Sequence, residues 1–77
     1  MKRQFFLRLT KDEVMLIKEE GELTKVQDII LNEYLKDELT DEGIRCKYVI
    51  PEHLFTRNKE SLFFKIDKLK SIGKLNY

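Results

Sequence analysis

The sequence predicts an α+β fold that is mostly helical. Two short segments alternate apolar and polar residues with a period of two, which is typical of strands. Three longer segments repeat apolar residues at helical spacing, and two of them follow a capping box. In chain order we expect an N-terminal strand, two helices, a short second strand and a C-terminal helix.

The first predicted strand covers residues 3–9 and runs directly into a helix start. Its alternation places three apolar side chains on one face: Phe5, Leu7 and Leu9. A lone strand leaves a row of unpaired N–H and C=O groups, so it needs a partner. Two partners are open: the same strand of a second chain, or residues 44–50 of this chain.

Two capping boxes begin the next two predicted helices. Thr10-Lys11-Asp12-Glu13 precedes a short helix over residues 11–20, and Gly21 is suited to end it. Thr24-Lys25-Val26-Gln27 precedes a helix over residues 25–39. Its apolar stripe consists of Val26, Ile30, Leu31, Tyr34, Leu35 and Leu39. Two boxes in series favour a break over one continuous helix through Gly21, where glycine costs only about 1 kcal/mol.

The second half begins with a predicted turn at residues 40–43. Residues 44–50 then alternate and predict a strand that Pro51 stops; its apolar face is Ile44, Cys46, Tyr48 and Ile50. Residues 52–57 are expected to form a loop. Asn58 is a good N-cap for a final helix over residues 59–72. Its inner face is Leu62, Ile66 and Leu69, with Phe63 and Ile72 flanking.

Composition bounds the class of protein. The 77 residues carry a net charge of +1, but residues 1–43 have seven Lys/Arg against eleven Asp/Glu, and residues 44–77 have eight against three. The basic end and tail suit an anionic partner, although a solvated charged surface also accounts for them. The single Cys46 suggests a reducing compartment. Without a signal-peptide pattern or a membrane-length apolar run, we expect a soluble cytoplasmic protein.

Catalytic and metal-binding signals are weak. His53 is the only histidine and falls in a predicted loop, where a surface role is more common than general-base catalysis. Cys46 falls on an apolar face, and one Cys with one His cannot supply the four ligands of a structural zinc site. No glycine-rich loop is present to cradle a phosphate. The sequence therefore predicts no enzyme activity, no cofactor and no metal.

A strand at residues 3–9 followed by helices at 11–20 and 25–39 resembles the ribbon-helix-helix repressors of phages, plasmids and bacteria. Gly21 matches the turn between the helices, and Leu23-Thr24-Lys25 matches the entry to the second one. The resemblance covers about 40 residues. It implies a homodimer whose paired N-terminal strands enter the major groove of double-stranded DNA.

The resemblance also implies roles for individual residues. Phe5, Leu7 and Leu9 would face the dimer core. The side chains that would contact base edges are Gln4, Phe6 and Arg8, whose chemistry suits adenine, a thymine methyl and guanine respectively. Those that would contact phosphates are Lys2, Arg3, Thr24 and Lys25.

The leading hypothesis is therefore a dimeric, sequence-specific transcriptional regulator, a repressor from a phage or plasmid. Residues 1–43 would bind DNA and dimerise, and residues 44–77 would be an accessory strand–helix segment open to a protein partner. An antitoxin is a weaker version, because the tail is basic and well patterned. The alternative hypothesis is a small monomeric α+β protein from a mobile element that binds and inhibits another protein.

Overall fold

The computed structural model describes residues 3–75, and every regular element in them is helical. A 3₁₀-helix comes first and four α-helices follow. Their bounds are Arg3–Arg8 for the 3₁₀-helix, Lys11–Gly21 for α1, Lys25–Lys36 for α2, Asp41–Tyr48 for α3 and Glu52–Ser71 for α4. The described part of the chain contains no strand, so the predicted α+β class is wrong.

The core lies between α4 and the pair α1 and α2, and the 3₁₀-helix packs against α2. Every helical element contributes to it. The side chains with no exposed surface include Phe6, Ile17, Ile30, Leu31, Ile44, Leu62 and Ile66. Helices from both predicted segments, 1–43 and 44–77, therefore share one core. The predicted inner face of the C-terminal helix, Leu62, Ile66 and Leu69, is confirmed.

The predicted N-terminal strand is wrong because this segment is a 3₁₀-helix, and two of its side chains lie on the side opposite to that expected. Phe6, expected on the outer face, has no exposed surface, and its ring centroid lies 5.2 Å from that of Tyr34 and 5.8 Å from that of Phe63. Leu7, expected in an apolar interface, is 53% exposed. A 3₁₀-helix bonds its own backbone groups, so this segment needs no partner strand.

The second predicted strand is helix α3, and the predicted turn at 40–43 is its beginning. Thr40 is the N-cap, and its hydroxyl accepts a hydrogen bond from the Gly43 N–H at 3.1 Å. Ile44 and Tyr48 lie one helical turn apart, so the pattern that suggested a strand fits a helix equally well. Cys46, expected on the apolar face, is exposed.

Helix α4 begins at Glu52, so the predicted loop over residues 52–57 is wrong. Pro51 occupies the N-cap position with φ −59°, a value that leads directly into a helix. Asn58 caps nothing, because it lies inside α4 and donates its side-chain amide to the Leu54 carbonyl at 2.8 Å. The added turns bury Phe55, which is 3% exposed.

The break between the first two helices is confirmed, and so are both capping boxes. Thr10 bonds reciprocally with Glu13, and Thr24 with Gln27. The left-handed residue after α1 is Glu22, at φ 46°, rather than the glycine before it. Helix α2 ends at Lys36 instead of residue 39, where Asp37 takes a left-handed conformation at φ 54°.

Val49 carries backbone strain at the corner between α3 and α4. Its φ is 55°, and its side chain is 86% exposed. A left-handed conformation costs an L-residue about 1–2 kcal/mol, and a β-branched side chain tolerates it poorly. The turn is held by the N–H groups of Val49 and Ile50, which both donate to the Arg45 carbonyl, and by burial of Ile50.

Replacing Val49 with glycine should raise the free energy of unfolding by about 1 kcal/mol, because glycine adopts positive φ without strain. Urea denaturation would measure this. The matched control is Val49→Ala, which removes the exposed methyl groups but keeps the Cβ atom, and it should change the stability much less. Equal effects of the two substitutions would contradict the strain.

Replacing Phe6 with alanine should lower the free energy of unfolding by about 3–5 kcal/mol, because it opens a cavity in the core. Leu7→Ala is the control and should cost much less, since Leu7 is half exposed. Urea denaturation of both variants would test the 3₁₀-helix directly. The predicted strand would reverse this order, with Leu7→Ala the more damaging change.

Candidate functional site

The residues predicted to contact bases do not form one surface. Gln4 and Arg8 are exposed, but Phe6 between them lies in the core. Gln4 and Arg8 also point about 120° apart around a helix with three residues per turn. The paired strand that would have aligned these three side chains is replaced by the 3₁₀-helix.

Arg3, a predicted phosphate contact, is engaged within the fold. Its guanidinium donates to the Leu39 carbonyl and lies 4.4 Å from the centre of the Tyr34 ring. It also forms ion pairs with Asp37 at 3.6 Å and Asp41 at 3.8 Å. These contacts tie the N-terminal segment to α2 and to the start of α3.

The other predicted phosphate contacts lie apart from Arg3. The Thr24 hydroxyl accepts from the Gln27 N–H at 3.2 Å and donates to the Asn58 side chain at 2.9 Å. Lys25 is exposed at the start of α2. Lys2 lies outside the described residues. Thr24 therefore serves as a helix cap and as a link between α2 and α4.

Glu33 on α2 is a buried carboxylate that fastens α3. It is 1% exposed, and it accepts hydrogen bonds from the Tyr48 hydroxyl and from the Lys47 ammonium at 3.1 Å. Lys36 lies 3.7 Å away. The Tyr48 hydrogen bond is the main cause that holds the pKa of Glu33 below its ordinary value, and the two lysines add to it against the effect of burial.

Asp41 is the second polar centre and joins α2, α3 and α4. It accepts hydrogen bonds from the Tyr34 hydroxyl at 2.6 Å and from the Lys59 ammonium at 2.7 Å. Burial alone raises the pKa of Asp41, but the contacts of Lys59, Tyr34 and Arg3 outweigh it and leave the pKa lowered. The pKa of the Tyr34 hydroxyl is raised, mainly by burial and also by its hydrogen bond to Asp41.

Both carboxylates, the buried Glu33 and the partly exposed Asp41, already have partners within the fold. Within residues 3–75, no group of three or more His, Cys, Asp or Glu side chains is placed to hold a metal ion. His53 is exposed on the first turn of α4. None of the helices described is long and apolar enough to cross a bilayer. The candidate site therefore lies on the surface.

The outer face of α4 is the surface feature that stands apart. Three of its large apolar side chains are exposed: Leu54 by 37%, Phe64 by 69% and Ile72, just after the last turn, by 58%. They fall on one line with three polar residues at spacings of three or four. We call this set the outer stripe; its members are Leu54, Arg57, Ser61, Phe64, Lys68 and Ile72. At 100° per residue they span an arc of about 80°.

Four members of the outer stripe line a groove of about 540 Å³ between α4 and the end of α1: Ser61, Phe64, Lys68 and Ile72. Gly21 and Ser61 line the groove, and both are small. Two lysines brace its sides: Lys65 donates to the Gln27 side chain at 2.7 Å, and Lys74 pairs with Glu20 at 2.7 Å. These contacts connect α4 and the residues after it to α1 and α2 without involving the apolar side chains of the groove.

Sequence reasoning missed the outer stripe because it assigned only one apolar face to the C-terminal helix. Phe64 points about 170° from the mean direction of Leu62, Ile66 and Leu69. That opposition was a usable signal, since one exposed aromatic residue opposite a core face is conspicuous. Leu54 joined the stripe only when α4 was found to begin at Glu52.

The described residues define a small all-helical protein whose C-terminal helix exposes the apolar side chains of Leu54 and Phe64 outside its core face. The chain matches no protein-family model, no curated protein and no solved structure. The resemblance to ribbon-helix-helix proteins stays a sequence-based prediction, and the paired strand on which its base contacts depend is not part of the described fold.

Replacing Glu33 with glutamine should destabilise the protein at pH 7, because the buried carboxylate loses its ion pairs with Lys36 and Lys47. The pKa of Glu33 is lowered in the folded state from an ordinary value of 4.5. Its ionised form therefore stabilises the fold above that pH, and the contribution is lost as the pH falls through the folded-state value.

The difference in urea midpoint between wild type and Glu33→Gln should therefore narrow between pH 7 and pH 3. Glu38→Gln is the control, because Glu38 is exposed and its substitution should leave the midpoint unchanged at either pH. A wild-type advantage that is the same at both pH values would contradict the role given to the Glu33 charge.

Proposed function

We propose that this chain is a small helical protein-binding module that docks another protein on the outer stripe of α4. The observation that carries the proposal is the exposure of Phe64 on the longest helix, at 69%, and of Ile72 just after its end, at 58%, where both side chains line an open groove. Interface centres are enriched in aromatic side chains that fill such depressions.

The energetics favour covering these side chains. Burying a Phe or Ile side chain that is otherwise exposed stabilises a complex by about 1.5–3 kcal/mol each. A partner that covers Phe64 and Ile72 together would gain the energy of a small binding hot spot.

The other exposed apolar side chains of the described residues do not line up on one helix face. Leu7 lies on the 3₁₀-helix, Met15 on α1, and Val49 in the turn between α3 and α4. Scattered single apolar side chains are normal on protein surfaces, whereas several on one face mark an interaction site. Tyr48 is next to Val49, but its hydroxyl donates a hydrogen bond to Glu33 and so fastens α3 to α2.

DNA binding has less support than protein binding. A DNA-binding surface needs cations available to phosphates. Of the 15 Lys and Arg residues, six form ion pairs with carboxylates within the described part of the chain: Arg3, Lys18, Lys36, Lys47, Lys59 and Lys74. The proposal keeps the protein partner of the alternative hypothesis and drops its strands.

The test compares two double variants that each replace two exposed apolar side chains with serine. Phe64→Ser/Ile72→Ser removes the exposed apolar part of the outer stripe, and Leu7→Ser/Met15→Ser removes similarly exposed side chains elsewhere. Each tagged chain is expressed in source cells and purified, after circular dichroism has shown that it folds. A near-equimolar partner should be recovered with wild type and the control, and lost with the outer-stripe variant.

The recovered partner is then purified and its affinity measured by calorimetry. The outer-stripe variant should bind it at least tenfold more weakly, which corresponds to about 1.4 kcal/mol. Equal affinity for wild type and the outer-stripe variant would refute the proposal. So would recovery of DNA by all three chains in place of a protein.

A further inference from the structure

The outer stripe has the spacing and charge to bind one class of protein segment. We infer that its occupant is an acidic amphipathic helix of the partner, lying along α4. This inference rests on the proposed function, because it names the chemistry of the partner at the same surface.

The charge of the outer stripe selects an acidic partner. Arg57 and Lys68 alternate with its apolar side chains, and Lys65 lies at its edge. The carboxylates of α4 that border the outer stripe are Glu60 and Asp67, which lie four residues before Phe64 and three residues after it. The three cations outnumber these two carboxylates. Glu20, on the opposite wall of the groove, is paired with Lys74 and so adds little negative charge there.

The spacing of the outer stripe suits a helix. Its members recur at three or four residues, the pattern by which one helix packs along another. From Leu54 to Ile72 the outer stripe is about 27 Å long, which matches about five turns of a partner helix. Ser61, which is small and partly exposed at the centre of the outer stripe, lets the partner helix approach closely.

The same features disfavour two other occupants. A second copy of this chain would bring the Arg57 and Lys68 side chains of both stripes into one contact, where like charges repel. A bilayer is a broad flat surface, whereas Phe64 and Ile72 face a groove with a wall formed by α1. Both occupants are outcomes that the experiment distinguishes.

The probe is a synthetic helical peptide of about 20 residues with leucine at the facing positions and glutamate on both flanks. Its match is the same peptide with every glutamate changed to lysine. Fluorescence anisotropy measures the affinity of each peptide for three proteins. These are the intact chain, the variant Arg57→Glu/Lys68→Glu and the control variant Lys11→Glu/Lys25→Glu. Both control lysines are exposed outside α4, and the control has the same change in net charge.

The wild type and the control should bind the acidic peptide at least tenfold more tightly than the basic one, and added salt should weaken this binding. The variant Arg57→Glu/Lys68→Glu should reverse this preference and bind the basic peptide more tightly. The inference is overturned if the acidic peptide fails to bind at millimolar concentration, or if wild type binds both peptides equally.

Two further measurements address the other occupants. Sedimentation of the chain alone should show a monomer, and vesicles of phosphatidylcholine with phosphatidylglycerol should not retain it. A dimer that the Phe64→Ser substitution dissociates, or retention by these vesicles that the same substitution abolishes, would overturn the inference. If the acidic peptide fails while a cellular partner still depends on Phe64 and Ile72, the inference fails and the proposed function stands. If the partner ignores both side chains, the proposed function itself fails.

Discussion

The side chain of Tyr34 is the contact on which the rest of the structure depends. It is 1% exposed, and its ring lies against Phe6 from the 3₁₀-helix and near Phe63 from α4. Arg3 covers the ring, and the hydroxyl donates to Asp41 at the start of α3. One residue of α2 thereby joins the N-terminal segment, α3 and α4. Its apolar ring supplies packing, and its polar end ties down the charges around the core.

This arrangement leaves α4 with two different tasks. Its inner face is committed to the core through Leu62 and Ile66, while its outer stripe stays exposed. A chain of this size buries only about 60% of the surface of its unfolded state, so part of its apolar surface stays exposed. The apolar side chains of the outer stripe belong to that exposed part and do not stabilise the fold by burial. The polar centres at Glu33 and Asp41 fasten α3 and the N-terminal segment, so the open groove is not needed to hold the fold together.

Local signals in the sequence were sufficient where the physical cause is local. The two capping boxes were predictable because each involves residues only three positions apart, and both form as expected. The break at residues 21–24 and the inner face of α4 followed from the same short-range patterns. The alternation before Pro51 suggests that this proline ends a strand. A proline is equally ordinary at the start of a helix, and Pro51 is the N-cap of α4, which begins at Glu52.

The errors came from segments whose local pattern fits two structures. Ile44 and Tyr48 suit a strand by alternation and a helix by their separation of one turn. The phenylalanine at position 6 was assigned to the outside because alternation cannot show that an aromatic pocket exists elsewhere. A strand needs a neighbouring strand. Because α3 forms where a second strand was expected at residues 44–50, the described residues contain no partner for the first one.

By itself the sequence determined the helix caps, the break between α1 and α2, and the apolar inner face of the last helix, because these depend on neighbours along the chain. Only the tertiary structure decided that Phe6 is buried under Tyr34, that α4 begins at Glu52, and that Phe64 and Ile72 remain outside the core. The reason is that burial is a property of the whole packed chain. A side chain becomes part of a surface only when every other element has taken its place.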